Sequence, residues 1–244
     1  MLILLPPSET KAVGGDGAPL DFSALSFPEL NPVRSEIAHD LSCLPTDEAL
    51  SVLGISQKQQ ELAEYNTQLL SSPTMPALSR FTGVLYDALD AATLQPAAWE
   101  RLAIGDALFG LLMADDLIPF YRLSGSNKLP RPDGTTPTLK SRWGKAITTA
   151  LDAVDGLVVD LRSGTYQQLG KLARAVTIRV EKRQPDGSLK VVSHFNKHYK
   201  GVAARVLAEH TGAVSSTTDV ADVLRHAGME IQMDGDSLEL KLIV

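Results

Sequence analysis

Between residues 171 and 205 the chain carries nine cationic side chains, Lys171, Arg174, Arg179, Lys182, Arg183, Lys190, Lys197, Lys200 and Arg205. Only Glu181 and Asp186 oppose them. The whole chain has a net charge of −6, so the cations are segregated. Segregation of this kind creates a local positive field even on an acidic protein. Its natural partner is an anion, either a nucleic-acid backbone or a phosphorylated small molecule. A second set, Thr10, Lys11, Tyr121 and Arg122 with Lys197 and Lys200, falls beside expected strand and helix ends, where pockets form. Arg122 follows Phe120 and Tyr121. An arginine fixed beside aromatic rings can grip phosphate or carboxylate with two parallel hydrogen bonds. A structural ion pair with Asp115 or Asp116 would explain Arg122 equally well. No nucleophile stands beside a base, so no reaction type follows.

Several other chemistries find no support. Gly14-Gly15-Asp16-Gly17 lacks the Lys-Ser/Thr and helix of a nucleotide-binding P-loop. Leu123-Ser124-Gly125-Ser126 has the wrong frame for a nucleophile elbow. His194 and His198 are four apart, but with no Glu between them and a strand before them no metal site or cofactor is expected. The single cysteine, Cys43, excludes an intrachain disulfide and reads as a small buried hydrophobe. No apolar run approaches the length of a membrane span, and the short apolar start lacks the basic leader of a signal peptide. The expectation is a cytoplasmic protein, away from membranes, and a monomer.

The elements that must position these residues follow from periodicity. Leu2–Leu5 reads as a buried strand stopped by Pro6 and Pro7. Residues 12–27 read as a loop, residues 32–43 as a helix facing inward through Val33, Ile37 and Leu41. Thr46 is expected to cap the next helix, Gly54 to end it and Ser56 to cap another reaching about residue 70. That helix, Gly-Ile-Ser turn, helix unit resembles a helix-hairpin-helix, although Glu48, Glu61 and Glu64 surround it and a second glycine is missing. Residues 99–113 read as an apolar helix, 139–153 as an amphipathic helix and 157–161 as a buried strand. Val176, Ile178 and Val180 alternate with polar residues up to a Pro185-Asp186-Gly187 turn, and the pattern returns through Leu189 and Val191 towards Ser193. A helix over residues 197–210 should turn Val202, Val206 and Ala203 inward and Lys200, Ala204 and Arg205 outward. A last helix and hairpin finish the chain. Interleaved helices and locally paired strands favour an α+β or irregular mixed α/β fold, a single compact domain over residues 1–244.

The ordered motifs resemble the YaaA family of peroxide stress resistance proteins. They are Met1–Leu4 with Pro7 and Thr10, Phe81-Thr82-Gly83 with Tyr86, Leu108-Phe109-Gly110, Asp116-Leu117-Ile118, Tyr121-Arg122-Leu123, Trp143-Gly144, Leu161–Tyr166, and Phe195–Gly201 with Arg205. Where the family pattern resembles Ser-Pro-Ala-Lys-Thr, this chain has Pro6-Pro7-Ser8-Glu9-Thr10-Lys11, with its lysine two places on. The resemblance implies an unusual α/β domain with a helix-hairpin-helix-like element and a positive cleft for DNA. It also implies protection against hydrogen peroxide by limiting iron-promoted damage.

Two functions therefore stand. One is backbone binding to DNA, with little sequence preference, through Lys171, Arg174, Lys182, Arg183, Lys190, Lys197, His198, Lys200 and Arg205. The other is an enzyme acting on a small anionic or nucleotide-like substrate around Thr10, Lys11, Tyr121, Arg122 and Lys197. Convergence of the second set in a closed pocket would favour the enzyme, and cations along an open groove would favour DNA.

Overall fold

A computed structural model describes residues 1–192 and 195–244. The chain opens with β1 (Leu2–Leu5), whose four side chains are all buried, as an unbroken apolar run requires of a strand covered on both faces. A long connection then carries α1 (Asn31–Ser42), α2 (Thr46–Leu53), α3 (Gln60–Thr67), β2 (Met75–Pro76), α4 (Ala77–Arg80), α5 (Val84–Leu89) and α6 (Pro96–Trp99). β3 (Leu102–Asp106) and β4 (Gly110–Met113) form a hairpin, and β5 (Leu117–Ile118) pairs with β2 apart from the main sheet. α7 (Leu139–Trp143) and α8 (Ala146–Asp152) lead into β6 (Val158–Asp160). After α9 (Gly164–Gln167) come β7 (Val176–Arg183) and β8 (Leu189–Val191). α10 (Asn196–Glu209), α11 (Thr217–His226), β9 (Glu230–Met233) and β10 (Glu239–Ile243) complete the molecule.

The main sheet has the order β4-β3-β1-β6-β7-β10-β9, with β8 added to β7. β1 runs parallel to β3 on one side and to β6 on the other, and β6, β7 and β10 continue parallel. The outer partners β4 and β9 are antiparallel. This is the mixed α/β class read from the sequence. From β1 the chain goes first to one neighbour and later to the other, so the order reverses beside β1. A crevice opens outside the carboxyl ends of parallel strands at such a reversal.

Several elements differ from their sequence reading. The stretch expected as a helix over residues 99–113 is the β3–β4 hairpin. An unbroken apolar run looks the same for a buried strand and a buried helix, and periodicity cannot separate them. Here Asp106 turns the chain by accepting hydrogen bonds from the amides of Leu108 (2.8 Å) and Phe109 (2.9 Å). The expected 139–153 helix is broken in two at Gly144, whose φ of +53° ends α7. Pro45, not Thr46, occupies the cap position of α2. Cys43 is exposed rather than buried. Asp116 is buried and ties Ser26 to the β4–β5 turn through the amides of Ser26 and Met113.

The unit over α2 and α3 has its turn at residues 54–56. The Gly54 and Ile55 amides cap carbonyls of α2, and the Ser56 amide meets Gln59 Oε1. The three donors of that turn are thus engaged within the chain.

Candidate anion-binding cleft

Three parallel strands deliver their carboxyl ends to one place. β1 runs out into Pro6–Lys11, β3 ends at Asp106, and β6 ends at Asp160 followed by Leu161, Arg162 and Ser163. Asp106 is 2 % exposed and accepts a third hydrogen bond, 2.5 Å long, from the Tyr121 hydroxyl. Tyr121 is fully buried. Burial first, and then the Asp106 charge, push its hydroxyl well above the usual tyrosine range. Tyr86, buried beside them, donates to the Pro6 carbonyl at 2.8 Å. Next to β6, the Asp160 carboxylate holds the buried Arg162 guanidinium at 2.8 Å, and Arg162 fills the space left by Gly105. A Cβ at Gly105 would lie 2.3 Å from Arg162 Cδ.

Lys11 turns back over this floor. Its Nζ donates to the Ser8 carbonyl at 3.2 Å and sits 4.3 Å from the centre of the Tyr121 ring and 5.1 Å from that of Phe81. No ion pair to Lys11 occurs among the described residues. Burial lowers its pKa to about 8, outweighing the pull of Asp106 in the other direction.

Above the floor lie two adjoining cavities of about 410 Å³ each. They share Pro6, Pro7, Glu9, Leu85 and Lys197, so they are two lobes of one cleft. Ser8, Thr10, Thr82, Gly83, Val84 and Tyr86 complete the first lobe. Ser124, Ser126, Ser163, Thr165, Tyr166, Asn196 and Lys200 complete the second. The amino end of α10 closes that lobe and offers its first-turn amides and positive dipole end. Lys200 Nζ reaches the Leu161 carbonyl at 3.1 Å, and burial lowers its pKa. Among the described residues Asn196 Oδ1 is buried without a hydrogen-bond partner. A larger cavity of about 620 Å³ lies elsewhere, against Ala91, Leu94, Trp99 and Met113. Its only charged lining residues are Glu100 and Asp115, so it lacks the groups for anion chemistry.

The second candidate set from the sequence does gather here. Thr10 lines the first lobe and donates to the Thr82 carbonyl at 3.3 Å, and Lys197 borders both lobes. Arg122 approaches from behind Glu9. Its Nη2 lies 2.7 Å from the Glu9 carboxylate, which that bond holds below the usual glutamate range. Glu9, rather than Asp115 or Asp116, is therefore the partner of Arg122. Asn66 fixes the Arg122 backbone at both ends, donating to its carbonyl at 2.9 Å and accepting from its amide at 2.8 Å. Arg122 Nε is buried and unpaired among the described residues.

The cationic window does not form one surface. Arg174 donates to the carbonyls of Leu151, Val154 and Gly156, at the amino end of β6 and so opposite the cleft. Lys171 is exposed near Thr148 of α8. Arg179 pairs with Glu181 at 2.9 Å, Arg183 with Glu230, and Arg205 with Glu209 at 2.8 Å. Arg205 also caps the carbonyls of Leu89 and Asp90. Lys182 and Lys190 are exposed and face each other across β7 and β8. His198 is exposed, its ring edge-on to Tyr199 at 5.4 Å, while His194 lies outside the described residues. Among the described residues no group of three or more His, Cys, Asp and Glu side chains could hold a metal ion.

Several site residues escaped sequence reasoning, among them Asp106, Glu9, Tyr86 and Tyr166 and the polar lining residues Ser124, Ser126, Ser163, Thr165 and Asn196. Asp106 had a signal, since it is the one charge inside the apolar run Leu102–Met113. A lone carboxylate there must be satisfied by partners when buried. The α10 side chains also differ from expectation. Ala203 faces inward as expected, but so do Gly201, Ala204, Leu207 and Ala208, and Lys200 is drawn into the cleft wall. Small residues let α10 lie against α5 so closely that a Cβ at Gly201 would stand 2.3 Å from the Leu85 carbonyl oxygen.

A model of the family described as peroxide stress protein YaaA matches residues 1–232. The chain belongs to the peroxide stress protein YaaA family. A UPF0246 protein of Corynebacterium efficiens is 60% identical over 245 residues, covering all of both chains. One from Corynebacterium glutamicum is 57% identical over the full length of both. A UPF0246 protein of Streptomyces coelicolor is 39% identical, over 96% of this chain and 93% of its own. Among the described residues no helix is long and apolar enough to cross a membrane.

Proposed function

We propose that this protein serves the response to hydrogen peroxide in the cytoplasm by holding the sugar–phosphate backbone of DNA, and so limits iron-promoted damage to it. Membership of a peroxide stress family supports the first half. The second half rests on the amino end of α10. There Lys197, Lys200, helix amides and the hydroxyls of Ser124, Ser126, Ser163 and Thr165 converge with Glu9 as the one opposing carboxylate among the lining residues. That is a phosphate environment in charge, dipole and donor geometry. Fluorescence anisotropy with labelled duplex and single-stranded DNA at 50 and 200 mM salt tests the assignment. Two or three phosphate contacts predict a roughly 7- to 40-fold loss of affinity across that range. The Lys197→Glu, Lys200→Glu double variant should weaken binding to every sequence alike. Affinity indifferent to salt, or unchanged in the double variant, refutes it.

A second reading is an enzyme acting on a small anionic substrate. The size of the cleft favours it, because lobes of about 410 Å³ are of the size that holds a small molecule. So does the presence of Thr10, Lys197 and Lys200 among its lining residues.

A further inference from the structure

We propose that the apolar cavity beside α6 is a second binding site, one that takes a small organic cation: an amine or quaternary ammonium on an apolar body. It shares no lining residue with the anion-binding cleft. Its volume of about 620 Å³ suits such a ligand, and Leu94, Pro96, Trp99 and Met113 give it an apolar lining. Trp99 and Met113 pack against the core yet stay partly exposed. Glu100 and Asp115 are the only charged groups in that lining, and both are carboxylates. Neither has a hydrogen bond or ion pair among the described residues. The neighbouring Asp116 is committed to structure, since it accepts from the amides of Ser26 and Met113. Asp115 carries no such duty and is exposed at the cavity.

The walls are held in place by the surrounding fold. Arg205 donates to the carbonyls of Leu89 and Asp90, immediately before the segment that carries Leu94. The Leu94 amide closes a turn on the Ala91 carbonyl at 3.2 Å. Pro96 opens α6, where its fixed φ suits the first turn and its missing N–H leaves no bond unmade. The Met113 amide meets the Asp116 carboxylate at 2.8 Å, and the next amide, of Ala114, meets the Leu102 carbonyl at 3.0 Å. An occupant of this preformed space loses little to reordering of the protein. The lining then selects by charge. The face of an indole ring attracts a cation more strongly than a phenyl or phenol ring does. Two uncompensated carboxylates add an attraction that a neutral molecule of the same shape does not feel and that an anion feels as repulsion. Both carboxylates are exposed, so screening holds the preference for a cation over its neutral counterpart to roughly five- to tenfold.

The test uses three probes of nearly one shape: 2-phenylethylammonium, the neutral 2-phenylethanol and the anionic 3-phenylpropanoate. The chain has two tryptophans, and Trp143 is buried with its indole N–H on the Ala107 carbonyl. The indole N–H signal of Trp99 in the isotope-labelled full-length protein therefore reports the cavity, and its loss in Trp99→Phe assigns it. Expected is a saturable shift of that signal, with the cation binding roughly five- to tenfold more tightly than the alcohol and the anion weakest. Glu100→Gln with Asp115→Asn should bring the cation down to the level of the alcohol. Trp99→Leu, followed by calorimetry, should weaken the cation and the alcohol alike. Melting temperatures confirm that each variant is folded, and DNA binding by the paired carboxylate variant should match the parent. The proposal is overturned if the alcohol or the anion binds as tightly as the cation, or if the paired variant keeps the parent's preference. It is equally overturned if no probe shifts the Trp99 signal at millimolar concentration.

Discussion

Replacing Gly201 by alanine separates two effects of opposite sign. In a solvent-exposed helix interior, Gly to Ala stabilises by about 1 kcal/mol, because alanine loses less backbone freedom on folding. At Gly201 the new Cβ would lie 2.3 Å from the Leu85 carbonyl oxygen, 2.8 Å from Ala88 Cβ and 3.1 Å from the Leu85 carbonyl carbon. Two of these atoms are backbone, which cannot swing aside, so α10 must move away from α5. Overpacking of this kind costs about 1–3 kcal/mol, and rigid backbone neighbours favour the upper end. The net expectation is a loss of about 1–2 kcal/mol. For a chain of this size that lowers Tm by roughly 2–8 °C. Lys197 and Lys200 ride on the first turn of the same helix, so the displacement should also weaken anion binding. Thermal unfolding followed by circular dichroism, with an anisotropy titration on the folded variant, measures both. A Gly201→Ala protein as stable as the parent, or more so, would refute the reasoning that close helix approach positions the cleft.

Two further outcomes follow from the same coordinates. Asn66→Ala leaves the part-buried Arg122 amide and carbonyl without their Asn66 partner, which should cost about 1–3 kcal/mol, seen as a lower urea midpoint at unchanged m-value. Lys11→Met should change the pH dependence of stability. Between about pH 8 and the ordinary lysine range, the unfolded chain keeps a proton that the folded Lys11 has released. The parent therefore gains stability from this group as pH rises through that window, and the stability gap between methionine variant and parent should narrow there. Paired urea titrations at pH 7.5 and pH 10 would show a gap that stays constant if burial does not act on Lys11.

Elements with a short, unambiguous period were legible in the sequence. β1 announced itself through Leu2–Leu5 and the following prolines, and β7 through the alternation of Val176, Ile178 and Val180, which are buried as expected. The β3–β4 hairpin was hidden because every position from Leu102 to Leu112 faces the core, which erases any period. The face of α10 was misjudged for a related reason. Valine outranks glycine and alanine as a core residue, but here tight helix packing selects the small side chains. Charge was the least legible property. Counting cations located Lys197 and Lys200 but could not foresee that Arg174, Arg183 and Arg205 are consumed by carbonyls and acids brought near by folding. Thr10, Tyr121 and Arg122 were found because they fall beside expected strand or helix ends, and Arg122 also because it follows two aromatic residues. Asp106 was concealed within the hairpin that was itself unread.

The cleft draws its lining from residues 6–10, 82–86, 124–126, 161–166 and 196–200. No contiguous piece of the chain contains more than a fraction of it. The receptor is thus a mosaic that exists only once the entire polypeptide has assembled, and an occupant senses the integrity of all five tiles together. Occupancy should accordingly raise the midpoint of global melting instead of merely quieting one neighbourhood. By the same logic, a peptide excised from any single tile would be a mute fragment.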